Sequence, residues 1–204
     1  AKGAGMIAPD MSTMLCFITT DAAIEYRALK EALRQAVNNS FNMITIDGCM
    51  STNDSVIILA NGLAGNKMIA AGSDGFIRFS FALTEICLGL AKMIVADAEG
   101  ATKFITIKVR GAKDNAQAKK AALAIANSNL FKTAVYGENP NWGRIIAAIG
   151  QSAVAAAASI GVQCSSLKRK NVEVAVDLKA GKAAACVYTS DLTPEYIRIN
   201  AHYN

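Results

Sequence analysis

Long apolar helical patterns alternate with short strand-like runs along this chain, and that alternation is the strongest constraint on its fold. Residues 74–98 form a long helical pattern, residues 103–109 alternate as a strand, and residues 114–127 form an amphipathic helix. Because helices and strands must each bury an apolar face, such sequences stack helices on sheets. The sequence therefore predicts a layered α/β or α+β fold.

Shorter patterns complete this prediction. A helical stripe covers residues 24–37, and strand-like runs cover residues 43–46, 56–60, 132–136, 172–178, 183–189 and 195–200. Short turns separate the last three runs, which favours antiparallel pairing among them. Only three prolines occur and no low-complexity linker is present, which indicates one compact unit.

Composition argues against several classes of function. The net charge is +5, but the basic residues are scattered and lack interleaved aromatics, so the sequence does not predict nucleic-acid binding. The longest uncharged stretch, residues 145–167, is rich in alanine and predicts a buried helix and loop rather than a membrane span. Five widely spaced cysteines and one histidine predict free thiols and no zinc site. Free thiols suit the cytoplasm or the mitochondrial matrix.

The opening segment contains a candidate nucleophile. A glycine-rich turn leads to Ser12 and Thr13, and an apolar run follows. If the Thr13 hydroxyl attacked the Ser12 carbonyl and cut the chain, the new terminus would carry both a nucleophilic Oγ and an α-amine base. An α-amine has a pKa of roughly 7.7–8.0, and the only histidine, His202, lies near the end of the chain. On spacing alone, however, an ordinary strand threonine explains Thr13 better than a nucleophile does.

Two acidic segments are further candidates. Residues 47–54 hold two carboxylates in a polar loop, and a structural turn explains them better than a catalytic dyad. Glu99 follows the long helix at its C-terminus, where the helix dipole disfavours an acidic side chain. Glu99 is therefore either a ligand for a cationic group or a solvent-exposed residue.

Taken together, these segments resemble the ornithine acetyltransferase family, also called glutamate N-acetyltransferase, of arginine biosynthesis. Each motif alone is weak, but the motifs follow the order of the family from one end of the chain to the other. The matching segments are residues 2–9 with 12–15, 20–21, 40–42, 47–48, 51–54, 99–103, 140–144, 191–193 and 199–203.

This resemblance implies a precursor that cuts itself between Ser12 and Thr13. Residues 1–12 would end the α chain, and residues 13–204 would form the β-chain catalytic domain, in a layered fold of the N-terminal-nucleophile type that both chains share. Thr13 would carry an acetyl group from N-acetylornithine to glutamate in a ping-pong reaction. Lys2, Thr13, Glu99 and Asn200 match substrate-binding positions, and the oxyanion-hole residues would lie in the α part.

The same resemblance implies no metal and no bound cofactor, although some family members accept acetyl-CoA as a substrate. Its implied partner is the α chain of the same precursor, in an α/β hetero-oligomer located in the cytoplasm, or in the mitochondrial matrix of a eukaryote. Two alternatives stay open on the residues. A related self-processing amidohydrolase or aminopeptidase would use the same Thr13 but pass the acyl group to water. A non-catalytic globular subunit would use Thr13 neither for self-cleavage nor for acyl transfer.

Overall fold

A computed structural model describes residues 1–8, 14–49, 54–154 and 159–202 of the chain. The strands are β1 (Leu15–Thr20), β2 (Ser55–Ala60), β3 (Phe104–Ala112), β4 (Gly161–Cys164), β5 (Asn171–Asp177) and β6 (Ala183–Ser190). The helices are α1 (Tyr26–Asn38), α2 (Asp74–Ala96), α3 (Asn115–Ala126), α4 (Asn129–Tyr136), α5 (Trp142–Gln151) and α6 (Pro194–Ala201). Helices pack on mixed sheets, which confirms the predicted fold class.

The strands form two sheets. In one, β1 and β2 pair in parallel; the other has the order β4-β5-β3-β6. Within the larger sheet β3 is parallel to β5 and antiparallel to β6, while β4 is antiparallel to β5. The predicted antiparallel pairing of β5 with β6 is therefore wrong, because β3 lies between them and takes both as partners.

Each sheet has its own apolar core. On the four-stranded sheet, α3 packs against β3 and β6 over buried aliphatic side chains such as Ile105 and Ile107, and α5 packs on α3 in the same core. Against the β1–β2 pair, α1 contributes small buried residues and α2 contributes larger ones, among them Leu83 and Ile94. Alanines on α1 allow the two helices to approach closely, since a methyl group occupies little space between them.

Two segments predicted as strands are helices. One is the segment predicted over residues 195–200, which lies in α6. Thr193 caps this helix by accepting the Tyr196 N–H, and Pro194 occupies its first turn, where no backbone N–H is needed for a hydrogen bond within the helix. The other is α4, which begins after the capping residue Ser128, whose side chain accepts the Phe131 N–H. In both places β-favouring side chains suggest a strand, whereas a capping side chain before the segment favours a helix.

At 23 residues, α2 is long and apolar enough to cross a membrane by length and composition alone. Its inward face, including Leu83, Cys87 and Ala91, packs in the core beside α1. The core helix of a soluble protein meets the same criterion of length and composition, so this criterion alone does not indicate a membrane span.

Candidate active site

Three of the predicted substrate-binding residues line one cleft. Lys2, Glu99 and Asn200 come from the opening segment, the turn after α2, and α6, and together they border a cavity of about 830 Å³. The opening segment forms one wall through residues 1–6, and the end of α2 forms another through Met93 and Ile94. Thr13 and Ser12 lie outside the described residues, so their predicted roles remain predictions.

The first wall is held in place by its backbone. Lys2 pairs with Leu15 at the start of β1 through two backbone hydrogen bonds. The Lys2 N–H donates to the Leu15 carbonyl at 2.9 Å, and the Leu15 N–H donates to the Lys2 carbonyl at 3.1 Å. Ala4 accepts the Glu99 N–H at 3.1 Å. The opening segment therefore connects β1, which begins two residues after Thr13 in the chain, to the turn that carries Glu99.

The carboxylate of Glu99 is fixed by two neighbours. Its Oε2 accepts a hydrogen bond from Asn200 Nδ2 at 3.0 Å, and that amide also donates to the Tyr196 carbonyl at 3.0 Å. Gly5 lies directly against the same carboxylate: a Cβ on Gly5 would stand 2.6 Å from Oε2. A glycine is thus required for the close approach of the opening segment to Glu99.

The turn after α2 is tied to α6 by several short contacts. Gly100 has a φ of +65°, and a Cβ at this position would lie 2.5 Å from the Tyr196 backbone nitrogen. Its carbonyl accepts the Thr193 hydroxyl at 2.7 Å, and Thr193 caps α6 as well. The buried Asp191 accepts the backbone N–H groups of Thr102 and Lys103, both at 2.9 Å. These contacts fix Asn200 relative to Glu99.

Asp47, for which the sequence favours a structural turn, makes a second set of contacts with distant segments. Its carboxylate accepts the N–H groups of Met6 at 2.7 Å and Ile7 at 3.1 Å, and the hydroxyl of Tyr196 at 3.2 Å. Met14, the first described residue after Thr13, donates its N–H to Asp54 Oδ1 at 2.6 Å. Asp47 and Asp54 thus contact the segments on the two sides of the predicted cleavage position. No local sequence signal identifies partners about 40 and 149 residues away.

Lys132 is a buried lysine that contacts the residue before Asp47. It is 2% exposed, and its ammonium group donates to the Ile46 carbonyl, next to Asp47. Burial lowers the pKa of Lys132 to about 8, although the charges of Asp47 and Asp191 act in the opposite direction. Lys132 therefore places a buried ammonium group next to Asp47, and the burial of this group costs desolvation free energy.

Chemically, the cleft offers groups of both charges and an amide, a set that suits a zwitterionic ligand. Lys2 can pair with a carboxylate, while Glu99 can pair with an ammonium group. Within the described ranges, no three His, Cys, Asp or Glu side chains are grouped so that they could hold a metal ion. All five cysteines lie in the described part of the chain, and all are free thiols.

Comparison with known proteins gives one consistent result. A model of the ArgJ family matches residues 1–204. The arginine biosynthesis bifunctional protein ArgJ of Geobacter sulfurreducens is 47% identical over 100% of this chain and 57% of its own length. The glutamate N-acetyltransferase of Methanopyrus kandleri is 48% identical over 100% of this chain and 58% of its own length. This chain thus spans less than two thirds of the length of these relatives.

A solved structure agrees with the fold. The crystal structure of arginine biosynthesis bifunctional protein argJ from Bacillus halodurans superposes with a TM-score of 0.89 at 39% sequence identity. That match covers 94% of this chain and 100% of the solved chain. The arrangement of sheets and helices described above is therefore shared with that protein.

Proposed function

Because this chain belongs to the ArgJ family, we propose that it is the β-chain part of an enzyme that moves an acetyl group from N-acetylornithine to glutamate. The observation that carries this proposal is the cleft in which Lys2, Glu99 and Asn200 meet. An N-acetylated diamino acid has a carboxylate and a side-chain ammonium group, which complement Lys2 and Glu99. Asn200 holds the Glu99 carboxylate in place through its 3.0 Å hydrogen bond.

The proposed chemistry begins with cleavage of the Ser12–Thr13 bond, which frees the α-amine of Thr13. That amine takes the proton from Thr13 Oγ as the oxygen attacks the acetyl carbonyl of N-acetylornithine. The C–N bond then breaks, the ornithine amine leaves with a proton, and an acetyl-threonine ester remains. The α-amine of glutamate attacks the ester, N-acetylglutamate leaves, and Thr13 regains its hydroxyl. Acetyl-CoA is a second acetyl donor that the same ester intermediate can accommodate.

We propose that the remainder of the precursor, an α chain, covers the outer face of the small sheet. That face exposes Phe17 and Leu59, at 66% and 63%, beside Leu15 and Ile57. An isolated two-stranded pair is marginally stable, and a contiguous exposed apolar surface of this kind marks an interaction site. This chain spans only 57% and 58% of two relatives, and the rest of such a precursor is the occupant that we propose for this face. The free thiols suit a reducing compartment such as the cytoplasm.

The decisive experiment expresses the chain with its natural upstream region and compares wild type with Thr13→Ala and Thr13→Ser. Wild type should give two fragments by intact mass, one beginning at Thr13, that co-elute as one particle and transfer acetyl from N-acetylornithine to glutamate. Thr13→Ala should stay uncut and inactive, whereas Thr13→Ser retains a hydroxyl and should be cut. An uncut, folded wild type would refute the mechanism. Acetate release that does not depend on glutamate would instead identify a hydrolase.

A further inference from the structure

Asp47 connects three separate segments through a single carboxylate. Oδ2 accepts from the Met6 N–H and the Tyr196 hydroxyl, while Oδ1 accepts from the Ile7 and Cys49 N–H groups. Hydrogen bonds to an ionised carboxylate are stronger than those between neutral groups. The carboxylate thus fixes the opening segment, its own loop and α6 in one arrangement.

Two of these segments carry the walls of the cleft, although Asp47 itself does not line it. Met6 closes the wall formed by residues 1–6, which includes Lys2. Tyr196 lies one helical turn before Asn200, and its carbonyl accepts the Asn200 amide at 3.0 Å. A displacement of Tyr196 would therefore move Asn200, and with it the partner of Glu99.

The surroundings keep this carboxylate rigid. The Ile46 N–H donates to the Ile7 carbonyl at 2.8 Å, and buried Lys132 donates to the Ile46 carbonyl. Burial, followed by the nearby charge of Asp47, raises the pKa of Tyr196 to about 12. Its hydroxyl consequently stays a hydrogen-bond donor throughout the neutral range.

We propose that Asp47 and Tyr196 are a positioning pair that sets the separation of Lys2 from Glu99 and Asn200, and so determines the fit of an N-acetylated diamino acid. This inference rests on the proposed acetyl transfer and adds to it two residues that do not line the cleft. Because the pair acts on both walls of the cleft, its loss should weaken substrate binding while the chemical step at Thr13 stays intact.

The test uses the processed two-chain protein and the variant Tyr196→Phe, which deletes one hydroxyl and keeps the ring. The KM for N-acetylornithine should rise roughly tenfold, equivalent to about 1.4 kcal/mol of binding, with kcat within about twofold of wild type. Asp47→Asn, which removes the charge, should act in the same direction. In the double variant the two effects should be less than additive, because both substitutions disturb the contact between the Asp47 carboxylate and the Tyr196 hydroxyl. Tyr26→Phe deletes a hydroxyl at an exposed position of α1 and should leave KM unchanged.

Each outcome decides the question. Tyr196→Phe that is cut, folded and within twofold of wild type in KM would overturn the positioning role while leaving the proposed function standing. A fall in kcat at unchanged KM would overturn it too, because that pattern places the hydroxyl in the chemical step. Additive effects in the double variant would show that Asp47 and Tyr196 act independently and would reject the pair. A wild-type protein that is cut but transfers no acetyl would overturn both proposals.

Discussion

Replacement of Gly100 by alanine should disturb both stability and the cleft. Gly100 has a φ of +65°, a conformation that costs a residue with a side chain roughly 1–2 kcal/mol. The new Cβ would lie 2.5 Å from the Tyr196 nitrogen and 2.8 Å from the Glu195 carbonyl carbon. Both are backbone atoms of α6, so only movement of the helix can relieve the contact, and overpacking of this kind costs about 1–3 kcal/mol. The expected loss in the free energy of unfolding is therefore about 2–5 kcal/mol.

Urea denaturation at fixed protein concentration measures this loss, and steady-state kinetics measures its effect on the cleft. The movement of α6 should also carry Asn200 away from Glu99 and raise the KM for N-acetylornithine. Gly150→Ala is the matched control, because this glycine lies inside α5 with nothing within 4 Å of a new Cβ. That change should stabilise the protein by up to about 1 kcal/mol. A Gly100→Ala protein within 0.5 kcal/mol of wild type would refute the argument from close contact.

Two further changes test the groups around the cleft. The pKa of Lys132 is 10.5 in the unfolded chain, and burial lowers it to about 8 in the folded protein. Between these two pH values the unfolded chain binds more protons than the folded protein. The free energy of unfolding therefore rises with pH in this interval. Relative to Lys132→Met, wild type should gain about 3 kcal/mol between pH 7 and 10.5 in denaturant titrations, and a constant difference would contradict the burial cost. Gly5→Ala should displace the flexible Glu99 carboxylate, which lies 2.6 Å from the new Cβ, and break its bond to Asn200. The KM for N-acetylornithine should then rise with little loss in melting temperature, and an unchanged KM would show that the carboxylate position is unimportant.

Local sequence patterns predict the helices that have a clear hydrophobic periodicity. The α2 helix, predicted over residues 74–98, spans Asp74–Ala96, and α3, predicted over residues 114–127, spans Asn115–Ala126. The segment of α6 reads as a strand because Tyr196, Ile197 and Ile199 favour strands, but the Thr-Pro start signal before them is the local feature that indicates a helix. Sheet order could not be predicted, since the pairing of β3 with both β5 and β6 depends on contacts distant in sequence.

In the candidate site too, some residues can be identified from the sequence and others only from long-range contacts. Lys2, Glu99 and Asn200 were identified by resemblance to a family, and the structure brings these three to one cleft. For Asp47 the sequence favours a structural turn over a catalytic dyad, because a carboxylate that binds backbone N–H groups of a remote segment leaves no periodic signal. Its carboxylate accepts hydrogen bonds from residues 41 and 149 positions away, which only the folded chain brings together.

The contacts of residues 1–8 bear directly on the proposed self-cleavage. After a cut before Thr13, this segment would belong to a separate chain and yet would have to keep Lys2 in the cleft. Its backbone makes two hydrogen bonds with β1, one with the turn after α2 and four with residues 45–47, and Ile7 is buried. At roughly 0.5–1.5 kcal/mol each, such bonds give several kcal/mol that do not depend on an intact peptide bond. Because three different elements hold the segment, cleavage would free the amine of Thr13 without releasing Lys2, and one chain can thus supply the nucleophile while the other supplies a binding residue.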